Sequence, residues 1–422
     1  MVAESKGVFA LAPRVGGVNG LHCDFPALVA SRLALAFSPL THYLRDDHLL
    51  SSPLTSYSRL QEGIYLFKHG IDPYSGSTFR HSPLLLSLFT TVIPLSEVTA
   101  PLLWTTSDAV AAWSLVHIWR ARQNVSTTSR DSLIAALYLL NPYTFLPSLG
   151  LSTSSFENSL CLLSIMFACR KQASASLLTL AFLVQLSLPS ILLLVPLLLL
   201  ISSSPTSHLA SPHFIKTSVR RIAPLAGQFA VYTVLLSGAA TLVCGNLTWL
   251  EKTWGASLTL PDLTPNPGLW WYFFTEMFDH FRPFFLMVFS VHLLIYVLPL
   301  CIKFQHDILY ACFLILGILS IFKAYPTLSD PGLFLSMLSL FPETFPYLNH
   351  PIVTALLHLH AALLLPLFHY LWLTQGTGNA NFFYASTLVF GMANGSALLD
   401  SIWAGLRIAI GELKDDFEVV QE

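Results

Sequence analysis

Apolar residues run along this chain in blocks rather than in alternation. The blocks fall near 25–40, 82–95, 99–119, 132–149, 156–170, 174–201, 222–245, 269–300, 307–322, 332–341, 351–373 and 381–406. Runs such as ILLLVPLLLLI (191–201) show none of the two-residue alternation of a membrane barrel strand. Such blocks predict helices, which satisfy their own backbone groups in a lipid setting. Several are shorter or longer than the stretch of roughly 20 residues that one crossing needs. The pattern therefore predicts an all-α, polytopic transmembrane helical bundle of about ten to twelve spans.

Polar breaks mark the loops. The stretch 41–81 carries helical spacing at Leu60, Ile64 and Phe67, which predicts an amphipathic segment lying on the membrane surface. RARQNVSTTSR (120–130) and the serine- and arginine-bearing stretch 202–221 are positive, which favours the cytosolic side. Arg32 sits inside the first short apolar block and is expected to snorkel towards water. Residues 1–24 are weakly patterned, without a tidy signal peptide, residues 25–408 read as one integral membrane domain with 41–81 as its first lumenal loop, and 409–422 read as a short acidic cytosolic tail.

Composition narrows the class. Hydrophobic residues make up 54% of the 422 and charged residues only 10%, against about 25% charged in ordinary soluble domains. The mean hydropathy of +0.63 agrees. A net charge of −2 and the lack of a long basic run argue against nucleic acid as a partner. Six cysteines without CxxC spacing indicate neither a zinc site nor a disulfide framework. Of three Asn-x-Ser/Thr sequons, Asn124 and Asn394 are poorly placed as acceptors, which leaves Asn246. No phosphate loop, dinucleotide motif or Ser-His-Asp arrangement can be read, and no cofactor is implied.

Three stretches carry candidate chemistry. Asp46-Asp47 place two carboxylates in the first loop, where an acid could act as a base or bind a metal. In PDLTPNPGLWWYFFTEMFDHF (261–281), three prolines bar a helix at first. An aromatic run from Trp270 to Phe274 then suits the headgroup zone. Helical spacing predicts that Glu276 and His280 share a face there, as a buried pair or a headgroup contact. In GTGNANFFYASTLVF (376–390), Asn379 and Asn381 suit a helix start, followed by Phe383 and Tyr384. Free N–H groups at that start favour a phosphate. Asp108, Asp400, Lys323 and Glu157 lie in or beside apolar runs, where an ionisable group needs a protein partner. Asp108 is expected near the interface.

The stretches SSPLTSYSRLQEG (51–63), DPYSGSTFRHSPLL (72–85), LLNPYTFL (139–146), 261–281, IFKAYPTLSD (321–330) and NANFFYASTLVF (379–390), in this order, resemble the PIG-U family. That family is the polytopic membrane subunit of the glycosylphosphatidylinositol (GPI) transamidase. The DPYSG turn is similar also to GPI mannosyltransferases of the PIG-M type. The resemblance implies a fold like that of C-type glycosyltransferases. It further implies a non-catalytic role in the endoplasmic reticulum membrane, beside other transamidase subunits, including the caspase-like one that supplies the catalytic Cys and His. It implies GPI and membrane lipid as ligands. A GPI site would draw on Asn381, Phe383, Tyr384, Trp270, Glu276 and His280, with Asp108, Asp400 and Lys323 as buried structural groups. Asp72-Pro73-Tyr74 would then be a lumenal turn inherited from a sugar-handling fold. Two other readings stand beside this one. A lumenal mannosyltransferase using a dolichol-linked sugar would rest on Asp46 or Asp47. A lipid transporter would rest on broken helices around 261–283.

Overall fold

The computed structural model of the chain describes residues 25–45, 47–203, 209 and 219–411. The expectations for residues 1–24, Asp46, most of 202–221 and the acidic tail from 412 onward lie outside the described residues.

Every regular element among the described residues is helical. The first, α1 (Phe25–Ala36) and α2 (Leu40–Leu44), lead into the first loop, which holds α3 (Tyr57–Lys68) and ends at α4 (Pro83–Ser87). Next come α5 (Thr99–Gln123), α6 (Asp131–Leu139), α7 (Pro142–Leu149), α8 (Ser154–Cys169), α9 (Ala173–Leu186) and α10 (Leu194–Ser202). The long α11 (Val219–Cys244) is followed by the short α12 (Thr248–Leu250), α13 (Ala256–Thr259) and α14 (Trp270–Thr275). The chain continues through α15 (Arg282–Lys303), α16 (Ile308–Phe322), α17 (Ser329–Met337), α18 (Pro351–Leu373) and α19 (Ala380–Ile410).

The apolar blocks resolve into helices of two kinds. Four helices, α11, α15, α18 and α19, are long and apolar enough to cross a membrane, and α6 with α7 makes a fifth if their 53° bend is one broken span. Asn141-Pro142 causes that bend, because Asn141 Oδ1 accepts from Tyr143 N–H (3.0 Å) and Pro142 fits only a helix's first turn. Six further apolar helices have only 10–17 residues. One of them, α16, is buried along its whole length from Ile308 to Ile321. It is apolar all round, as a central helix must be, and it packs against α10, α15, α17 and α19.

Charges inside the bundle are paired, which corrects one expectation. Arg32 does not snorkel. It is 3% exposed, and its guanidinium meets Asp108 Oδ2 (2.5 Å) and the carbonyls of Leu139 and Thr144. Asp108 is 1% exposed and also accepts from Ser148 Oγ. The physical reason is that α1 packs against α5 and α6, so each charge reaches its partner sooner than water. Lys323 Nζ bridges Glu157 Oε2 (2.8 Å) and Asp330 Oδ1 (2.9 Å). Asp400 Oδ2 accepts from His350 N–H (3.0 Å), beside the start of α18. The 120–130 stretch also spends its charge internally. Arg122 is buried on Asp307 (2.8 Å) and Glu343 (2.5 Å), and Arg120 meets Asp131 (2.8 Å). Buried pairs of this kind add little net stability, but removing one partner costs about 3–5 kcal/mol.

The first loop folds onto the bundle, against the expectation of a helix lying on the membrane. α3 buries Tyr57, Leu60, Gly63 and Ile64. Gly63 is required there, because a Cβ would stand 2.1 Å from the Phe79 ring. The DPYSG turn is built from within. Asp72 Oδ1 accepts from Tyr74 N–H (2.9 Å), and the buried Tyr74 hydroxyl donates to the His81 carbonyl (2.7 Å). Asn246, the sequon residue, donates to Asp72 Oδ2 (3.2 Å), whereas Asn394 is buried within α19.

Candidate functional site

The proline-rich strap before α14 is held by its own polar residues. Asp262 Oδ1 accepts from Thr264 N–H (3.0 Å), and its Oδ2 meets Arg59 of α3 at 2.7 Å. Burial pushes the Asp262 carboxyl up, but the bonds from Thr264 and Arg59 outweigh it and hold the group below its ordinary value. Asn266 Oδ1 accepts from Gly268 N–H (2.9 Å). Only glycine fits at 268, where a Cβ would lie 2.5 Å from Pro326. The strap thus delivers α14 in a fixed orientation.

α14 presents aromatic side chains in two directions. Trp270, Phe273 and Phe274 pack towards α15, with Trp270 edge-on to Phe289 (5.0 Å) and Phe273 against Phe285 (5.6 Å). Trp271 and Tyr272 turn the other way, to the first turns of α19 and the last turn of α18. The Trp271 ring meets Phe383 (5.7 Å), Tyr384 (6.0 Å) and Trp372 (6.1 Å). Tyr272 lies over Tyr384 (4.7 Å). Its hydroxyl donates to Asn381 Oδ1, and the Tyr384 hydroxyl donates to the Leu269 carbonyl (3.1 Å).

Asn379 starts α19, accepting from Phe382 N–H through its side-chain oxygen (3.2 Å). Asn381 and Phe382 are exposed, whereas Phe383 is fully buried. Partial burial, and next the neighbouring Glu276 carboxylate, raise the pKa of Tyr272, so the phenol remains a proton donor. One donor in this cluster is unused. Trp271 is 3% exposed and its Nε1–H has no partner. An orphaned buried N–H of this kind points to a missing acceptor.

The sequence-derived residues separate in space. Asn381, Phe383 and Tyr384 gather around Trp271 and Tyr272, and Glu276 approaches the Tyr272 hydroxyl. Trp270 belongs to the opposite face, packed on Phe289 of α15. Glu276 and His280 do not share a helical face, because α14 ends at Thr275 and both residues are exposed. The next helix begins only at Arg282, so 276–281 is a connection between two helices. Arg282 is drawn back to the Leu260 carbonyl (2.5 Å). His280 lies on its neighbours Phe278 and Phe281.

Sequence reasoning missed the far wall. His369 of α18 stands edge-on to Phe383 (5.3 Å) and to His48 of the first loop (5.8 Å). Asp47 is within electrostatic reach of His369, and its Oδ1 accepts from Leu49 N–H (2.7 Å). The available signal was the polar-aromatic HYLW (369–372) at the end of an apolar block that also carries His358 and His360. Among the described residues, no three His, Cys, Asp or Glu side chains are grouped to hold a metal. The junction thus offers an amide, two phenol hydroxyls, an unpaired indole N–H and stacked rings beside a helix start. That set suits a ligand with hydroxyls or phosphate oxygens at one end and hydrocarbon at the other.

Comparison with known proteins places the chain in a family. Residues 26–390 match the family described as GPI transamidase subunit PIG-U. The "GPI transamidase component GAB1" of Saccharomyces cerevisiae is 34% identical over 387 residues, covering 90% of this chain and 93% of that protein. The "GPI transamidase component GAB1 homolog" of Schizosaccharomyces pombe is 33% identical over 383 residues, covering 89% and 90%. The human "GPI-anchor transamidase component PIGU" is 29% identical over 411 residues, covering 90% and 92%.

Proposed function

The chain belongs to the PIG-U family of GPI transamidase subunits, and from that premise we propose that it is a non-catalytic membrane subunit of a GPI transamidase that holds the GPI lipid at the α14–α19 junction. It works in the endoplasmic reticulum membrane beside the other subunits, one of which is the caspase-like chain that cleaves the precursor. GPI joins phosphate and sugars to hydrocarbon chains. The junction matches each part: Asn381 and Tyr272 for hydroxyls, the α19 start for phosphate, Trp271 and Phe383 as apolar walls. The observation that carries the reading is the buried Trp271 indole N–H without an acceptor, set beside these groups. The family's name is that of a transamidase subunit, which weighs against the mannosyltransferase reading.

Asn381→Leu tests the proposal. The exposed amide is removed at nearly constant size. Surface display of a GPI-anchored reporter should fall roughly tenfold, as expected when polar ligand groups lose a partner. Assembly of the complex and cleavage of a precursor peptide should persist. Unchanged reporter display in cells that contain only the variant would sink the site.

A further inference from the structure

A second feature lies between α4, α5, α8 and α9. There the bundle leaves a groove of about 430 Å³, walled by Leu88, Phe89, Leu103 and Phe156. Leu88 and Phe182 at its rim are 37% and 38% exposed, so it opens outward. α4 continues into a π-helical turn over Leu88–Val92 along this wall, a wider turn that often marks functional sites.

The back of the groove is polar. Ser107, Ser159 and Gln185 line it. The two serines are satisfied within the bundle: Ser107 Oγ donates to the Ser155 carbonyl (3.0 Å) and Ser159 Oγ to the Ser107 carbonyl (2.8 Å). Gln185 is not. Its Nε2 donates to Ser237 Oγ (2.9 Å), but its Oε1 has no donor although the residue is only 1% exposed. Water is scarce at such a place, and an unpaired amide oxygen there is costly. A plain acyl chain would fill the walls and leave this oxygen unpaired. A phosphodiester lipid with ester-linked chains brings only acceptors near its chains. A hydroxyl or an amide N–H at the head of the chain brings the missing donor.

We infer that this groove binds one hydrocarbon chain of a membrane lipid that carries a hydroxyl or amide N–H beside the chain, the chemistry shared by ceramides and long-chain alcohols, with Gln185 Oε1 as the acceptor. The site does not depend on the α14–α19 reading, and its test uses no GPI readout.

The test is photolabelling of the assembled complex in microsomes with three clickable diazirine lipids: a ceramide, a long-chain alcohol and a phosphatidylcholine. Peptide mapping locates the adducts. At least one donor-bearing probe should label 84–89, 103–110, 156–160 or 182–186 about fivefold above phosphatidylcholine, the worth of one hydrogen bond. Whether ceramide, alcohol or both do so identifies the source. Gln185→Met should bring that ratio close to unity while labelling persists. Leu103→Trp should lower groove labelling by all probes about tenfold, with α15 labelling unchanged. Val110→Phe, a smaller filling step, should lower it too, and co-purification of the complex shows that both variants assemble. Equal labelling by phosphatidylcholine in the wild type would overturn the donor assignment. Groove labelling no stronger than on α15, or untouched by both filling variants, would overturn the site.

Discussion

The two faces of α14 are made of the same residue types and do different work. Towards α15, Trp270, Phe273 and Phe274 meet Phe285 and Phe289 in a cluster of aromatic rings. Towards α19, Trp271 and Tyr272 meet rings that come with polar atoms: Asn381, the Tyr384 hydroxyl, His369 and the approaching Glu276. One face anchors the helix, and the other carries the groups proposed above to meet a ligand. In a membrane protein an aromatic run is therefore not one signal, because the partner on each side decides its role.

The sharpest way to break this contrast is Trp270→Ala. Removing the ring leaves a cavity against Phe289 and should cost about 3–5 kcal/mol. The level of assembled complex should collapse, with reporter display falling only in proportion. Tyr272→Phe tests the other face. It keeps the ring, gives up the bond to Asn381, and should cost only about 1 kcal/mol in stability. Reporter display should fall about fivefold at an unchanged level of complex, so the two variants separate amount from activity. A proportional fall in both would merge the two faces into one structural unit.

A third test concerns the strap that orients α14. The Asp262 carboxyl lies below its ordinary value when folded, so its contribution is complete above the unfolded pKa near 4 and is lost as pH falls through the lower folded value. Thermal unfolding of the wild type should therefore decline more steeply below about pH 4 than that of Asp262→Asn. Parallel curves would remove the strap's ion pair from the account. The smallest effect belongs to His280→Ala. The side chain is exposed and touches only its neighbours, so stability should stay within about 0.5 kcal/mol and reporter display should not change.

Much of the fold was legible from block pattern alone. The all-helical class, the loop at 41–81 and the breaks at the prolines follow from residue types whose preferences are local. The distinction between α16 and α15 was not legible. Both are uniformly apolar, yet α16 is enclosed by protein, whereas Ile295 and Leu298 of α15 are exposed. Hydropathy measures aversion to water, and lipid and protein interior satisfy it equally. Buried charges were visible as anomalies, but their partners lie far away along the chain, as with Arg32–Asp108 and Arg122–Asp307. At the site, the α19 residues stood out by the Asn-x-Asn start. Trp271 could not be told from Trp270, since neighbours on a one-and-a-half-turn helix are assigned to sides only by what packs there. The pairing of Glu276 with His280 failed because helical spacing was extended past Thr275, where α14 ends.

The most direct test of the central claim is site-specific photocrosslinking. A photoreactive phenylalanine replaces Phe382, exposed beside Asn381, or Phe278, exposed beyond the end of α14. Each variant is irradiated in the assembled complex in microsomes, and lipid adducts are identified by mass spectrometry. A GPI adduct is expected at position 382 and none above background at 278. Adducts of equal strength at both positions, or at 278 alone, would contradict the claim.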